Sequence, residues 1–510
     1  MNQISLFLLA IIPIAVLMLL IIKFKVAANI ATFSTLIVTA VLALTIWHKP
    51  VDYVAVGILQ GALKGFWPIC MVIIGAIFCY NIMLETKSMD VIKNMLSKVS
   101  SDKRVQVLLI AWGFGGFLEG VAGFGTAVAI PTGILIILGF NPMKSILLAL
   151  LANTVTVAFG AVGIPVITLA DLTELNVQTL SFYIVAQLAI FNFIIPYLLI
   201  VVTEGSFKAI KGVFWLTTVC TTICTAVQLF IAMKVGAELV SIVGTVAFIV
   251  SIIVYCKLFK KEEADKTPTE GNLFVAASSY IIMVLLIIAF CPLFPGINKA
   301  VAFGSAIPFN YGVGADGVEI IKELKITWLN TPGVLIIIAT LIGGLLQGSN
   351  FSAMFKIFGK TLFQLRKTIM TVTSIVALAQ VMDSSGMILD LSNGLILLTG
   401  GFYPFIAPLV GAVGTFVTGS DTSSNILFGK LQLNVANKIG VNPEWLVASN
   451  TSGAALGKMI SPQSIAVATS ATNQEGQESA VMSTSLKYCL VLLIVLGLII
   501  GILSMTLFAK

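Results

Sequence analysis

A polytopic, all-α membrane protein is the fold class this sequence predicts, with about 12 transmembrane helices plus two re-entrant hairpins in an inverted repeat. Three observations lead there. Apolar runs of roughly 20 residues recur from end to end, each long enough to cross a bilayer core. Charge is scarce, since 58% of the 510 residues are hydrophobic and only 10% charged. Two glycine-rich stretches, Trp112 to Asn141 and Gly411 to Phe428, each place one acid, Glu119 or Asp421, in an apolar run. Glycine at that density weakens a helix, and in a membrane a freed backbone group finds no water. An acid facing lipid there costs roughly 2.5 kcal/mol or more, so each should line a cavity.

The same composition excludes other classes. No stretch is large enough for a soluble catalytic domain, and the whole chain, 1–510, reads as one integral membrane unit. Its net charge of +7, from 29 Lys plus Arg against 22 Asp plus Glu, suits short Lys-rich loops on one membrane face. With only Arg104 and Arg366 there is no arginine-built phosphate or nucleic-acid surface. The seven cysteines form no CxxC or Cys/His cluster, and His48 is the single histidine, at a helix end beside Lys49 and Pro50. No metal site and no cofactor is expected.

In chain order, Met1-Asn2-Gln3 passes straight into an apolar run without a basic leader, which predicts a retained first helix. Full spans are expected at 4–22, 27–47, 64–84, 145–169, 181–203, 213–233, 236–256, 273–293, 332–348, 368–386, 444–467 and 487–508. Basic residues orient them. Lys23 and Lys25, the 85–104 loop, the 257–266 loop and the loop with Lys356, Lys360, Arg366 and Lys367 share one side. By the positive-inside rule that side is the cytoplasm. The longest outer loop, 296–330, is expected to hold a short amphipathic helix at 316–325.

The segment 105–140 fits no single span. Two apolar arms of about 15 residues meet at its glycine cluster, and each reaches only about 22 Å as helix, against a core of roughly 30 Å. A re-entrant hairpin entering from the cytoplasm accounts for this, and 405–437 has the same character from the other side. The halves align: 64–166 runs parallel to 364–464 at an offset near 300 residues. Gly120 then matches Gly419, Asn141-Pro142 matches Asn442-Pro443, Asn153-Thr154 matches Asn450-Thr451, and Pro165 matches Pro462. Amphipathic stretches precede both hairpins, at 88–98 and 388–396. The positive-inside orientation runs the two copies in opposite senses, the usual build of a secondary transporter with its site between repeats.

Candidate site residues cluster at the breaks. Ser420, Thr422 and Ser423 sit at the second hairpin turn, where a helix N-terminus favours a carboxylate. The alternative is a polar cap on an ordinary loop. Further on, Asn450 and Thr451 open a stretch expected to interrupt a span, before Lys458, Ser461 and Gln463; Asn153 is the matching residue of the first half. Lys458 neutralises a substrate carboxylate, pairs with Glu119 or Asp421, or snorkels to the inner surface. Glu119 and Asp421 are the candidates for proton coupling. Glu119 is favoured as the carrier, because the Ser/Thr shell of Asp421 offers more hydrogen bonds to an ionised carboxylate; a permanent ion pair with Lys458 is the other reading. Asp383 either lines the pathway or is solvated at a span end.

The strings Gly116-Phe117-Leu118-Glu119-Gly120, Gly419-Ser420-Asp421-Thr422-Ser423-Ser424-Asn425 and Gly457-Lys458-Met459-Ile460-Ser461-Pro462-Gln463-Ser464 closely resemble the bacterial L-lactate permease family. The resemblance extends over nearly the whole chain. It implies proton symport of L-lactate and related 2-hydroxymonocarboxylates, D-lactate and glycolate, through a multi-pass protein of the bacterial inner membrane. The implied partners are a small monocarboxylate, protons and membrane lipid, with no nucleic acid. A passive anion channel and a membrane-embedded enzyme are the rivals. A channel predicts a ring of fixed positive charge, and an enzyme a water-facing constellation that one histidine and two arginines scarcely provide.

Overall fold

The computed structural model describes residues 2–123, 125–260, 271–290, 294–313, 319–472 and 474–509. Its helices start and stop where local chemistry dictates. Asn2, Asn141, Asn176, Asn350 and Asn442 cap five helix N-termini, each side chain accepting a hydrogen bond from a first-turn amide. Gly205, Gly386, Gly419 and Gly440 end helices in the left-handed conformation. Several buried threonines turn inward on their own helices, as Thr35 does to the Ala31 carbonyl (2.8 Å) and Thr340 to Ile336 (2.7 Å), which satisfies those two hydroxyls.

Among the described residues, 11 helices are long and apolar enough to cross a membrane, and the polytopic all-α class holds. The departures are local. The spans expected at 273–293 and 332–348 are helices of 13 and 15 residues, Ser278–Phe290 and Pro332–Leu346; residues 291–293 lie outside the described residues. Those expected at 64–84 and 368–386 belong to two helices of 35 residues, Val51–Glu85, kinked at Trp67, and Phe351–Ser385. These two pack antiparallel. A Cβ on Gly57 would meet the Ser384 hydroxyl at 3.4 Å, and one on Gly65 the Thr373 Cα at 2.9 Å, so glycine permits the approach.

The amphipathic helix expected at 316–325 is not formed. Glu319–Thr327 is instead strand β2, antiparallel to β1 (Gly304–Val313); residues 316–318 lie outside the described ones. The burial along β2 explains the error. Leu324 and Ile326 alternate with exposed neighbours, a period of two that a helical reading of the same apolar residues overlooks.

Both glycine-rich segments are helix–break–helix units. In the first, Lys103–Val121 and Thr126–Ile137 pack on each other, with a Cβ on Gly115 falling 3.2 Å from the Pro131 ring. The outer ends also meet, because the Lys103 ammonium lies 5.6 Å over the Phe140 ring. The second unit is Tyr403–Thr418 and Asp421–Ile439, joined at Gly419 (φ 71°) and stapled by Gln432, which donates to the Ala407 carbonyl and accepts from Tyr403.

Each unit leads into a broken helix. Pro142–Thr156 and Pro443–Gly457 are both 15 residues long with an Asn N-cap and proline at the first turn. Each ends in one 3-10 turn, Val157–Phe159 or Lys458–Ile460, and then one extended residue, Gly160 or Ser461. The interruption expected at Asn450–Gly453 is thus displaced, since those residues lie within continuous helix and the break falls at 458–461. Cap to cap the two broken helices are 301 residues apart (442 − 141). Asn153 and Asn450, matched at 297, therefore sit one helical turn out of register.

Candidate functional site

The two hairpin turns and the two helix breaks converge on a cavity of about 330 Å³. Four helix N-termini border it: Ala28–Thr45 through Ala27, Ala28 and Asn29; Thr126–Ile137 through Gly125; Asp421–Ile439 through Ser420 and Asp421; and Pro462–Ser470 through Gln463 and Ser464. The positive dipole ends of these helices make such a space favourable to an anion. The break between the first broken helix and its continuation takes a shape that costs energy. Ala161 and Val162 stand at φ 44° and 58°, and a β-branched residue in that region is held there only by its surroundings.

Four charged side chains line the cavity: Glu119, Asp421, Lys458 and, at the wall, Lys367. Glu119 and Asp421 are 4% and 3% exposed, and both line the cavity with Lys458. The Lys458 ammonium donates to the Gly419 carbonyl, at the C-terminus of Tyr403–Thr418 where the helix dipole is negative. Glu119 and Asp421 act on it electrostatically across the cavity, but neither closes an ion pair with it. The permanent Lys458–Glu119 pair is therefore absent. Glu119 instead packs on backbone. A Cβ on Gly160 would fall 2.6 Å from Glu119 Oε1, so only glycine at 160 leaves the carboxylate its place. Asn153 lies beside Glu119 without lining the cavity.

The hydroxyl shell expected around Asp421 does not serve it. Both carboxylate oxygens of Asp421 lack a hydrogen-bond partner in the protein, as does Oε2 of Glu119. Ser420 caps the Ser423 amide (3.2 Å), Thr418 bonds the Gly414 carbonyl (2.8 Å), and Ser424 bonds Gly411 across the turn (2.7 Å). Ranking Glu119 above Asp421 on that shell has no basis in the structure.

Of the expected binding residues, Ser420, Thr422, Ser423, Lys458 and Gln463 line the cavity. Asn450 and Thr451 do not. They bond Asn425 Oδ1 at 2.9 and 3.0 Å, and Asn425 in turn donates to the Pro165 carbonyl at 3.0 Å, so they tie the second half to the first. Ser461 is fully buried with an unpartnered hydroxyl beside the break. Sequence reading missed Asn29, Lys367, Thr368 and Thr371, which complete the wall. Lys367 and Thr371 are one turn apart, and an i,i+4 polar stripe entering an apolar span was the available signal; Lys367 was instead counted only as a basic loop residue. Among the described residues no group of three or more His, Cys, Asp or Glu could hold a metal ion.

Comparison with known proteins is concordant along the chain. The sequence model of the family described as L-lactate permease matches residues 6–507. An L-lactate permease of Streptococcus iniae is 42% identical over 450 residues, covering 87% of this chain and 94% of that protein. An L-lactate permease of Bacillus subtilis (strain 168) is 32% identical over 512 residues, 92% of this chain and 90% of its own. A glycolate permease of Escherichia coli (strain K12) is 31% identical over 532 residues, 96% and 94% respectively. Among solved structures, the YdaH transporter of Alcanivorax borkumensis aligns with 14% identity and a TM-score of 0.48, over 87% of this chain and 86% of that one.

Proposed function

This chain belongs to the L-lactate permease family, and we propose that it is a secondary transporter coupling a proton to L-lactate and related 2-hydroxymonocarboxylates such as D-lactate and glycolate. The observation that carries this reading is the central cavity, where Lys458, Lys367 and four helix N-termini meet two acids that have no closed ion pair. Small hydroxy acids suit such a site. The carboxylate is matched by Lys458 and the first-turn amides, and the hydroxyl by Thr422, Ser423 or Gln463.

Charge arithmetic supports the proton. With Glu119 and Asp421 both ionised, Lys458 leaves the trio at −1, and a bound monocarboxylate would take it to −2 in a cavity that disfavours uncompensated charge. One proton on either acid removes that excess, and Lys367 at the wall offsets the remainder. Loaded and empty sites then carry similar charge, which is the condition for both to reorient across a membrane. The matched hairpins and broken helices support an inverted repeat with re-entrant hairpins. The cavity reaches the wall formed by Ala27–Asn29 and Lys367–Val372, the basic side read as cytoplasmic, so this is an inward-facing arrangement.

The test is uptake of labelled lactate into proteoliposomes. An imposed pH gradient, acid outside, should drive accumulation above equilibrium, and collapsing it should abolish accumulation while exchange persists. Equilibration without a pH effect would indicate a channel, and chemical conversion of lactate an enzyme.

A further inference from the structure

A second, smaller space lies further along the Asp421–Ile439 helix. Lys430 stands nine residues beyond Asp421, about 13 Å of helical rise. Around it, a cavity of about 40 Å³ is lined by Lys64, Glu174, Lys322, Gln380, Asp383 and Lys430, with a few apolar residues beneath. By the measure in which one water needs 10–15 Å³, this holds roughly three waters, room for the carboxylate end of a small acid. Between it and the central cavity the Gly160–Thr173 and Asp421–Ile439 helices are in tight contact. Asn425 bonds Pro165, and a Cβ on Gly429 would fall 2.5 Å from Leu169. The small space is therefore shut off from the central one and lies on the far side of that barrier from Lys367.

Three lysines from three separate elements line it against two acids. Lys430 is held by Asp383 at 3.3 Å, and Lys322 of β2 lies 5.4 Å over the Tyr311 ring. Lys64, half-buried, makes no hydrogen bond or ion pair with any described residue, and Asp171 and Glu174 act on it only from beyond contact. The β1–β2 hairpin covers the site. Tyr311 accepts from Gln380 (3.2 Å), donates to Gln60 and packs edge-on against Tyr53 at 4.9 Å. Burial pushes the Tyr311 phenol up to about 12, so it remains a neutral donor.

We propose that this space is an outer carboxylate-binding subsite, in which Lys64, with Lys322 and Lys430 beside it, receives the substrate's carboxylate under the β-hairpin before the barrier opens. The proposal rests on the transporter reading. An unpaired, half-buried ammonium in a cavity with surplus positive lining is otherwise a cost without a partner.

The test compares the two directions of transport. Lys64→Gln should raise KM for lactate uptake from the outer side about tenfold with maximal rate within about twofold, while KM for efflux stays unchanged. Lys64→Arg should restore most of the uptake affinity. Because Lys64 is packed, Lys322→Gln on the exposed strand provides an independent arm: uptake KM should rise about two- to threefold at low salt and the difference should vanish at high salt. Unchanged uptake KM in both variants, or equal rises in both directions, would overturn the subsite. Failure of the transporter reading would look different, since the unaltered protein would then not move lactate at all.

Discussion

The two broken helices share a backbone and differ in chemistry. Each runs 15 residues from an Asn-Pro start, tightens to a 3-10 turn and ends on an extended residue, Gly160 lining the cavity and Ser461 buried just outside its lining. At the first position of that turn the first half has Val157 and the second has Lys458, and both line the cavity. At the extended residue the first half has Gly160, whose missing side chain admits the Glu119 carboxylate, and the second has Ser461 with an idle hydroxyl. Similar folding thus produces two unlike walls. One half supplies the cation and the hydroxyl-rich turn, and the other supplies a carboxylate seated on bare backbone. The proposed carriage of an anion with a proton would draw on that inequality, because two matching lysines would hold the anion too firmly and two valines would not hold it at all.

Removing the cation should erase the distinction between the halves. Lys458→Ala is expected to cost about 3 kcal/mol or more in lactate binding, a loss above 100-fold in uptake affinity, since two buried acids lose their common counter-charge. Lys458→Arg should also be impaired, because a guanidinium is larger and planar where the ammonium meets the Gly419 carbonyl. Normal binding in the alanine variant would mean the lysine merely snorkels. Moving the charge across the comparison, with Lys458→Val and Val157→Lys together, should not restore uptake, since position 157 has no second-half turn to anchor it; recovery would show that charge alone matters.

The acids come next. Either Glu119→Gln or Asp421→Asn should lower pH-driven accumulation by at least about tenfold, a loss of roughly 1.4 kcal/mol of coupling. Counterflow, which needs no net proton movement, separates them: the variant that keeps exchange identifies the acid that carries the proton. Full pH-driven accumulation in both variants would remove the pair from the mechanism.

How much of this could be read in advance depends on what each feature rests upon. The spans, the two glycine breaks and Glu119, Asp421 and Lys458 as a charge cluster were legible, because membrane burial makes apolar runs long and intramembrane charge rare. The exact break in the second half was not. Asn450 and Thr451 look like a polar interruption, but their polarity is consumed by Asn425 on a neighbouring helix, a partner no local pattern reveals. The β-hairpin was missed because Leu324 and Ile326 gain their period from packing against Tyr53 and Trp67, far earlier in the chain. Asp421's bare carboxylate was likewise hidden, since nearby hydroxyls can bond their own helices as readily as an acid.

Glycine and serine at the extended position offer a finer test. Gly160→Ala should be the more damaging, because a methyl at 2.6 Å displaces the Glu119 carboxylate from its seat. Uptake should fall about tenfold, with pH-driven accumulation hit harder than exchange, and a wild-type profile would show that Glu119 can relocate freely.

Ser461→Ala is the smallest change expected and in one respect the most informative. Its hydroxyl is fully buried and makes no hydrogen bond in the protein, so deleting it relieves an unsatisfied polar group and should leave thermal stability equal or higher by up to about 1 kcal/mol. If the hydroxyl bonds the substrate in a state with the cavity closed around it, KM for lactate should rise about three- to tenfold while that stability gain persists. The two readouts move in opposite directions only when the group is kept for binding and not for folding. A lower melting temperature with unchanged KM would reverse the assignment: the serine would be a structural partner of the break, and the second half would hold its substrate without it.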